Sequence, residues 1–407
     1  MRKCKVFVGL SHPELGAKIC EKLDIQASPC SLNKFSNGET SVQINCSVRD
    51  NDVYIIQSSS DTINDHIMEL LVLISACKGG SASKITVVVP NFPYSTQSNL
   101  YYHSNKDSAR MLANLIVMAG ADHVVSMDLH AGQIQGFFNK PVDNLYALPF
   151  LVRWIKTNVK KYEKSVIISK NANGTKRVTE MADSLNVNFA MIQILEKKRN
   201  VYNNLNLLIE DTVNSNKENS ASEKTRFMTS SRIVQGHVLS QKDNLELENQ
   251  RPAELENTNP SKLDRTMAEF FENYNQNSMS KYVKKETVIT LVGNVKNRPA
   301  IILDDMVTKP EMYISISEHL RMNCGAECVY LVATHGVFLD SCLEALFHCQ
   351  YLDKIVVTNT CPLLKNDLFR YRDKLVVIDV SSIFAEYIRR AHFGESISTL
   401  FDNLFHL

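Results

Sequence analysis

The sequence predicts an α/β protein in two halves, each built on a mostly parallel sheet flanked by helices. Short β-branched apolar runs alternate with amphipathic helical stretches, the pattern of parallel strands covered on both faces. Those runs are too numerous for one sheet of ordinary size. A length of 407 residues, 44% hydrophobic and 22% charged, fits an ordinary globular protein of two or three domains.

Lys5–Val8 is the first run. Ser11-His-Pro-Glu14 then reads as a capping box, with Leu15, Ile19 and Leu23 on one helical face. Val53–Ile56 precedes a helix from about Asn64 to Cys77, closed by Gly79 and Gly80. Ile85–Val89, His123–Met127, Val166–Ser169, Ile301–Leu303, Val329–Ala333, Ile355–Val357 and Leu375–Ile378 are the later strand-like runs. Residues 201–286 break the rhythm, being rich in Asn, Ser, Glu and Lys without lasting periodicity. They read as a disordered insertion in the second half, a small third domain being the other reading.

Formal net charge is +1, which supplies no field toward nucleic acid or an anionic membrane, and neither is expected as a partner. No window approaches the roughly 20 apolar residues of a membrane helix. The opening MRKCKVFVGL is followed by Ser11, His12 and Pro13 and reads as a first strand with no signal peptide. Of the ten cysteines none forms a CxxC pair, and Cys324 and Cys328 stand four apart. Buried reduced thiols are the ordinary reading and a zinc site the alternative; either way the expected compartment is the cytosol.

Chemistry concentrates at Ile301–Met312, reading IILDDMVTKPEM, where an apolar strand runs into Asp304 and Asp305. Ligands of α/β proteins sit at the carboxyl ends of such strands. A phosphate cradle there needs small residues and free backbone N–H groups. This loop offers Lys309, Pro310, Glu311 and Met312 instead, so the site is of phosphate-binding kind but poorly equipped.

Several motifs in order resemble ribose-phosphate pyrophosphokinase, the phosphoribosyl pyrophosphate (PRPP) synthetase family. They are Lys34-Phe-Ser-Asn-Gly-Glu-Thr40, Ile63-Asn-Asp65 with Met68-Glu-Leu-Leu71, Ala119-Gly-Ala-Asp122 and Met127-Asp-Leu-His-Ala131. Gln133-Ile-Gln-Gly-Phe-Phe138, Pro141-Val-Asp-Asn-Leu-Tyr146, Gly174-Thr-Lys-Arg177, Thr334-His-Gly336, Thr358-Asn-Thr360 and Gly394-Glu-Ser-Ile-Ser398 follow. The resemblance covers nearly everything outside 201–286 and is to the fungal kind of subunit with a long insertion. It implies two phosphoribosyltransferase-type domains, 1–147 and 148–391, the second interrupted by 201–286. A tail, 392–407, returns to the first. It further implies dimers and larger rings, and transfer of a pyrophosphoryl group from MgATP to ribose 5-phosphate, yielding PRPP for nucleotide biosynthesis and AMP.

The resemblance assigns adenine binding to Phe35, Asn37 and Glu39, reaching a neighbouring subunit's nucleotide; an exposed turn is the structural alternative. Of the next ATP loop, where the family continues with Arg-Gln-Asp, only Gln97 remains, and Thr96 cannot replace the arginine's charge-assisted phosphate contact. His130 matches the magnesium-site histidine. Asn171 stands where the family carries aspartate, and a neutral amide holds Mg²⁺ weakly. Ile194, Leu195 and Glu196 replace a Lys-Glu-Arg run in the mobile catalytic loop, with Lys197, Lys198 and Arg199 as displaced substitutes. Asp304 and Asp305 would accept bonds from ribose hydroxyls, with Thr308 and Lys309 touching phosphate. Ser47, Arg49, Ser81, Ser396 and Ser398 match an allosteric pocket for phosphate or ADP, with His103 and Ser104 at two further positions of it.

The expectation is a PRPP synthetase subunit, weak or inactive alone, acting with paralogous subunits in a hetero-oligomer. An active synthetase using displaced residues, and a scaffold binding signalling partners through 201–286, are the alternatives.

Overall fold

The computed structural model describes residues 3–95, 108–198 and 285–402, and side chains throughout these except 194–198, 285–288 and 402. The chain divides into one compact unit of residues 1–190 with 295–407 and another of residues 191–294.

The first unit opens with β1 (Cys4–Val8), α1 (Pro13–Lys22), β2 (Cys30–Lys34), β3 (Thr40–Ile44), β4 (Asp52–Ile56) and α2 (Ile63–Gly79). After these come β5 (Lys84–Val89), α3 (Ser108–Ala119), β6 (His123–Met127) and β7 (Val142–Leu145). Strands β1, β4, β5, β6 and β7 form one sheet in that order, every pair parallel. Each residue of β4 is buried, as expected of a strand covered on both faces. Strands β2 and β3 stand apart as an antiparallel hairpin.

One local expectation fails. His12, not Ser11, caps α1, accepting from the Leu15 N–H at 3.4 Å. Ser11 Oγ donates instead to Gln57 Oε1 at 2.7 Å. Pro13 sets the helix start, and the buried Gln57 amide draws the serine inward.

A second sheet begins after α4 (Leu148–Asn158), with β8 (Val166–Ser169) and α5 (Thr175–Leu185). The chain continues through β9 (Asn188–Lys198), β10 (Lys285–Val292), β11 (Pro299–Val307), α6 (Glu311–Glu318) and β12 (Cys328–Gly336). The chain closes with α7 (Cys342–His348), β13 (Lys354–Thr358), α8 (Lys365–Arg370), β14 (Leu375–Ile378), α9 (Ser381–Phe393) and α10 (Thr399–Asp402). In the first unit the order β8–β11–β12–β13–β14 is parallel throughout.

Two strands run further than the apolar pattern implied. Strand β11 continues past Leu303 to Val307, so Asp304 and Asp305 lie inside it rather than in the loop beyond. Strand β9 continues to Lys198 through the positions expected in a mobile loop, and in the second unit Ile194 stands opposite Ile289 and Glu196 opposite Thr287 in an antiparallel ladder with β10. The β-branched Thr287-Val-Ile-Thr290 run supplies that partner. Positions 194–196 thus have strand backbone rather than loop, though their side chains, and Arg199, lie outside the described residues. So does nearly all of the expected insertion 201–286.

An apolar core joins Val6, Leu15, Ile19 and Tyr54 to Ile167, Ile301, Phe384, Tyr387 and Ile388. Each large aliphatic side chain buried there stabilises by about 1.5–3 kcal/mol. Helix α9 packs on α1 and is tied by Lys22–Asp379 at 3.2 Å, Tyr387 Oη to Asp143 Oδ2 at 2.6 Å, and His392 Nδ1 to Asp52 Oδ2 at 2.9 Å. All ten cysteines are unpaired; Cys324 ends a π turn and Cys328 begins β12. Among the described residues no helix is long and apolar enough to cross a membrane.

Candidate active site

The buried acid pair near the end of β11 is the centre of the site. Strand alternation turns Asp304 and Asp305 to opposite faces, so each meets its own partners. Asp304 Oδ1 accepts from the Asp305 N–H at 2.9 Å, while Oδ2 accepts from the Tyr313 hydroxyl and forms an ion pair with Lys170 Nζ. Tyr313 comes from the first turn of α6; its Oη also lies 3.0 Å from the Met306 carbonyl and 3.3 Å from Lys170 Nζ. Asp305 Oδ2 bonds His130 Nδ1, and its Oδ1 lies 3.6 Å from Arg177 Nη1.

Burial pushes both carboxyl pKa values up. For Asp304, the hydrogen bond to Asp305 and that neighbour's charge add to it, leaving the group above the ordinary carboxylate range. For Asp305, the His130 bond and the Arg177 charge overcome burial and hold it far below that range. His130 is raised, chiefly by the same bond. The Tyr313 phenol is raised by burial and then by Asp304, so it is the neutral donor here.

Register explains the convergence. Ser169 at the end of β8 pairs with Leu303, so the residues that follow each strand emerge side by side and Lys170 reaches Asp304. Arg177 projects from the first turn of α5. His130 follows β6, whose end is fixed by Asp128 in a left-handed conformation at φ 41°. Asp128 Oδ2 accepts from Thr334 Oγ1 at 2.6 Å and the Ala147 N–H at 3.2 Å.

The motifs Thr334-His-Gly336 and Thr358-Asn-Thr360 form the floor below. His335 Nε2 lies 3.1 Å from the Met127 carbonyl and Nδ1 2.8 Å from Thr360 Oγ1. That pattern places the proton on Nε2 of a neutral ring, and burial lowers its pKa. These residues build the frame that holds β6 and β12 together.

The remaining predicted residues are distributed unevenly around this centre. Asn171 Oδ1 accepts from the Gly174 N–H at 3.0 Å and so caps a 3-10 turn. The Thr308 carbonyl accepts from the Leu339 N–H at 3.0 Å, Lys309 is exposed, and Pro310 opens α6 without a donor of its own. The lysine and arginine at the acid pair are Lys170 and Arg177. Sequence reading did not weigh Lys170 or Tyr313; the usable signal was a lysine directly after a strand adjacent to β11.

A protein-held Mg²⁺ needs oxygen or imidazole ligands with uncommitted lone pairs. Here Asn171 Oδ1 holds a turn and Asp304 carries an ammonium, while His130 turns Nδ1 to Asp305 and keeps Nε2 as the ring nitrogen that could meet an ion. Among the described residues no three His, Cys, Asp or Glu side chains are grouped to share an ion. Of His130 and Asn171, His130 fits the magnesium site that the motifs imply and Asn171, committed to its turn, does not.

The β2–β3 hairpin carries the proposed adenine residues. The Phe35 N–H donates to the Glu39 carbonyl at 2.8 Å, the Gly38 N–H to the Phe35 carbonyl at 2.9 Å, and the Glu39 N–H to Asn37 Oδ1 at 3.1 Å. Gly38 takes φ 87°, which a side chain would resist. The turn leaves the Phe35 ring 58% exposed. Gln97, His103 and Ser104 lie outside the described residues.

Ser47 and Arg49 lie between β3 and β4 and Ser81 between α2 and β5, where the Asp50 N–H donates to the Ser81 carbonyl at 3.0 Å and Asn51 Nδ2 to the Ser47 carbonyl at 3.3 Å. Ser396 and Ser398, after α9, bond each other at 2.6 Å, and Arg390 Nη1 donates to the Ser396 carbonyl at 2.9 Å.

Comparison with known proteins places this geometry. Residues 4–120 match the N-terminal domain of ribose phosphate pyrophosphokinase, and residues 201–402 match the phosphoribosyl synthetase-associated domain. Ribose-phosphate pyrophosphokinase 1 of Saccharomyces cerevisiae is 50% identical over 427 residues, with 99% of each chain covered. The Schizosaccharomyces pombe protein of the same name is 42% identical over 413 residues, with 100% of each covered. The crystal structure of phosphoribosylpyrophosphate synthetase from Mycobacterium smegmatis superposes with TM-score 0.70 at 27% identity, covering 97% of this chain and 100% of that one.

Proposed function

Because the chain belongs to the ribose-phosphate pyrophosphokinase family, we propose that it is a subunit of that transferase, weakly active or inactive alone. On this reading it acts beside a paralogous subunit with an intact centre. Phosphoryl-transfer catalysis is positioning plus cations held against the transferring and leaving phosphates. The observation that carries the reading is the occupancy of the acid pair: Lys170, Tyr313, His130 and Arg177 are all turned onto Asp304 and Asp305. Carboxylates so engaged are poor acceptors for ribose hydroxyls, and cations so engaged are poor partners for phosphate. Thr308, Lys309 and Pro310 give no cradle of N–H donors to compensate.

The exposed Phe35 turn supports a different contribution, stacking on the adenine of ATP held by a neighbour, with Asn37 and Glu39 reading the base edge. Ser47, Arg49, Ser81, Ser396 and Ser398 would carry the response to phosphate or ADP.

Three measurements test this. The purified chain should form PRPP from MgATP and ribose 5-phosphate only slowly; a rate ordinary for enzymes would establish the alternative of an active synthetase. Co-expressed with an intact paralogue, Phe35→Ala in this chain should lower the complex's activity, and an unchanged rate would defeat the shared-site role. Partner binding that vanished on deleting 201–286, with PRPP synthesis intact, would favour the scaffold reading.

A further inference from the structure

The acid pair of β11 is closed by a cation that belongs to the chain itself. Lys170 Nζ sits on Asp304 Oδ2, 3.3 Å from Tyr313 Oη and 5.5 Å from the centre of the Tyr313 ring. The ammonium is therefore held between a carboxylate and a phenol oxygen, two groups that each favour positive charge. Asp304 is 6% exposed, so its charge must be answered from inside the protein. Lys170 provides that answer from a fixed position, because Ser169 is locked in register with Leu303.

We propose that Lys170 is a tethered cation that permanently occupies the Asp304 face of the acid pair, so that this chain keeps the pair folded without a divalent ion and excludes one from it. The tether makes a bound metal redundant: an incoming ion would have to displace an ammonium already bonded and partly desolvated. The proposal shares the assignment of the acid pair made above, but it does not depend on whether the isolated chain is active.

Mn²⁺ is the probe, added to the full chain without nucleotide and followed by the paramagnetic resonance of the free ion. Wild type and Lys170→Arg should bind no more Mn²⁺ than Asp304→Asn, which reports background sites. Lys170→Met should gain one further site, tighter than background by at least about tenfold given two unit charges in contact. That gain should disappear when Asp304→Asn is added. A wild-type chain that binds Mn²⁺ as tightly as Lys170→Met overturns the proposal, as does a folded Lys170→Met that gains no site. A second measurement needs only wild type and Asp304→Asn. Millimolar Mg²⁺ should move their urea midpoints equally, and a selective rise for wild type would place an ion at the acid pair and end the idea. An active isolated chain would overturn the reading of a weak subunit and leave these outcomes standing.

Discussion

Replacing Thr334 by valine keeps the branched shape of a fully buried side chain and removes one hydroxyl. That hydroxyl donates at 2.6 Å to Asp128 Oδ2, on a residue only 7% exposed. A hydrogen bond to a buried charged acceptor contributes about 1.5–3 kcal/mol. The Ala147 N–H stays on the same oxygen at 3.2 Å, so the carboxylate is not stranded and a loss of about 2 kcal/mol is expected. Thr358→Val removes neutral bonds only, to the Thr334 carbonyl at 2.7 Å and with the Thr360 hydroxyl at 3.1 Å, and should cost about 1–2 kcal/mol. Urea unfolding can be followed by the chain's single tryptophan, Trp154, which meets Tyr330 of β12 edge-on at 6.4 Å between ring centres. In an Asp128→Asn background the Thr334→Val loss should shrink to about 1 kcal/mol, because the acceptor is then neutral. Equal costs in both backgrounds, or a Thr334→Val midpoint matching wild type, would refute the view that this bond fixes the loop bearing His130.

Other expectations follow from packing and titration. The Asp379 carboxyl is opposed by burial but is held down to about 2 by bonds from Ser381, Asn359 and Lys22. A depressed carboxyl stabilises above its ordinary pKa of about 4, and the gain is lost as pH falls from there through the folded value. Asp379→Asn should cost about 1 kcal/mol at neutral pH, discounted for exposure, and the gap between the two urea midpoints should close on acidification toward pH ~2. A Cβ at Gly16 would lie 2.2 Å from Val8 Cγ1. Gly16→Ala should therefore destabilise by about 1 kcal/mol or more despite better helix propensity, and Val8→Ala should restore its unfolding midpoint. Ile302→Ala, at a fully buried site in the middle of β11, should lower stability by about 2–5 kcal/mol in the same assay.

Strand positions are legible in the sequence because β-branched apolar runs have few other uses. The runs Ile85–Val89 and Leu375–Ile378 fall within a residue of β5 and β14. Strand ends are less legible where polar residues continue the ladder. Asp304 and Asp305 look like loop residues by composition, yet Met306 and Val307 pair onward with His335 and Gly336. The cap of α1 misleads for a similar reason, since a buried glutamine 46 residues away competes for Ser11. At the site, single residues with a family pattern can be found by eye. Lys170 and Tyr313 cannot, because their meaning comes from the pairing of β8 with β11 and from where α6 begins.

The clasp between α1 and α9 joins Lys22 to Asp379, 357 positions apart. In the unfolded chain that span is one very long loop, and residues 199–284 form part of it. Loop-closure entropy grows only with the logarithm of length, so that stretch adds roughly 0.2 kcal/mol to the cost of bringing the two helices together. The clasp is nearly blind to how much chain lies between β9 and β10. A shortened protein should close it as readily as the full one, leaving that stretch free to change length without disturbing the acid pair.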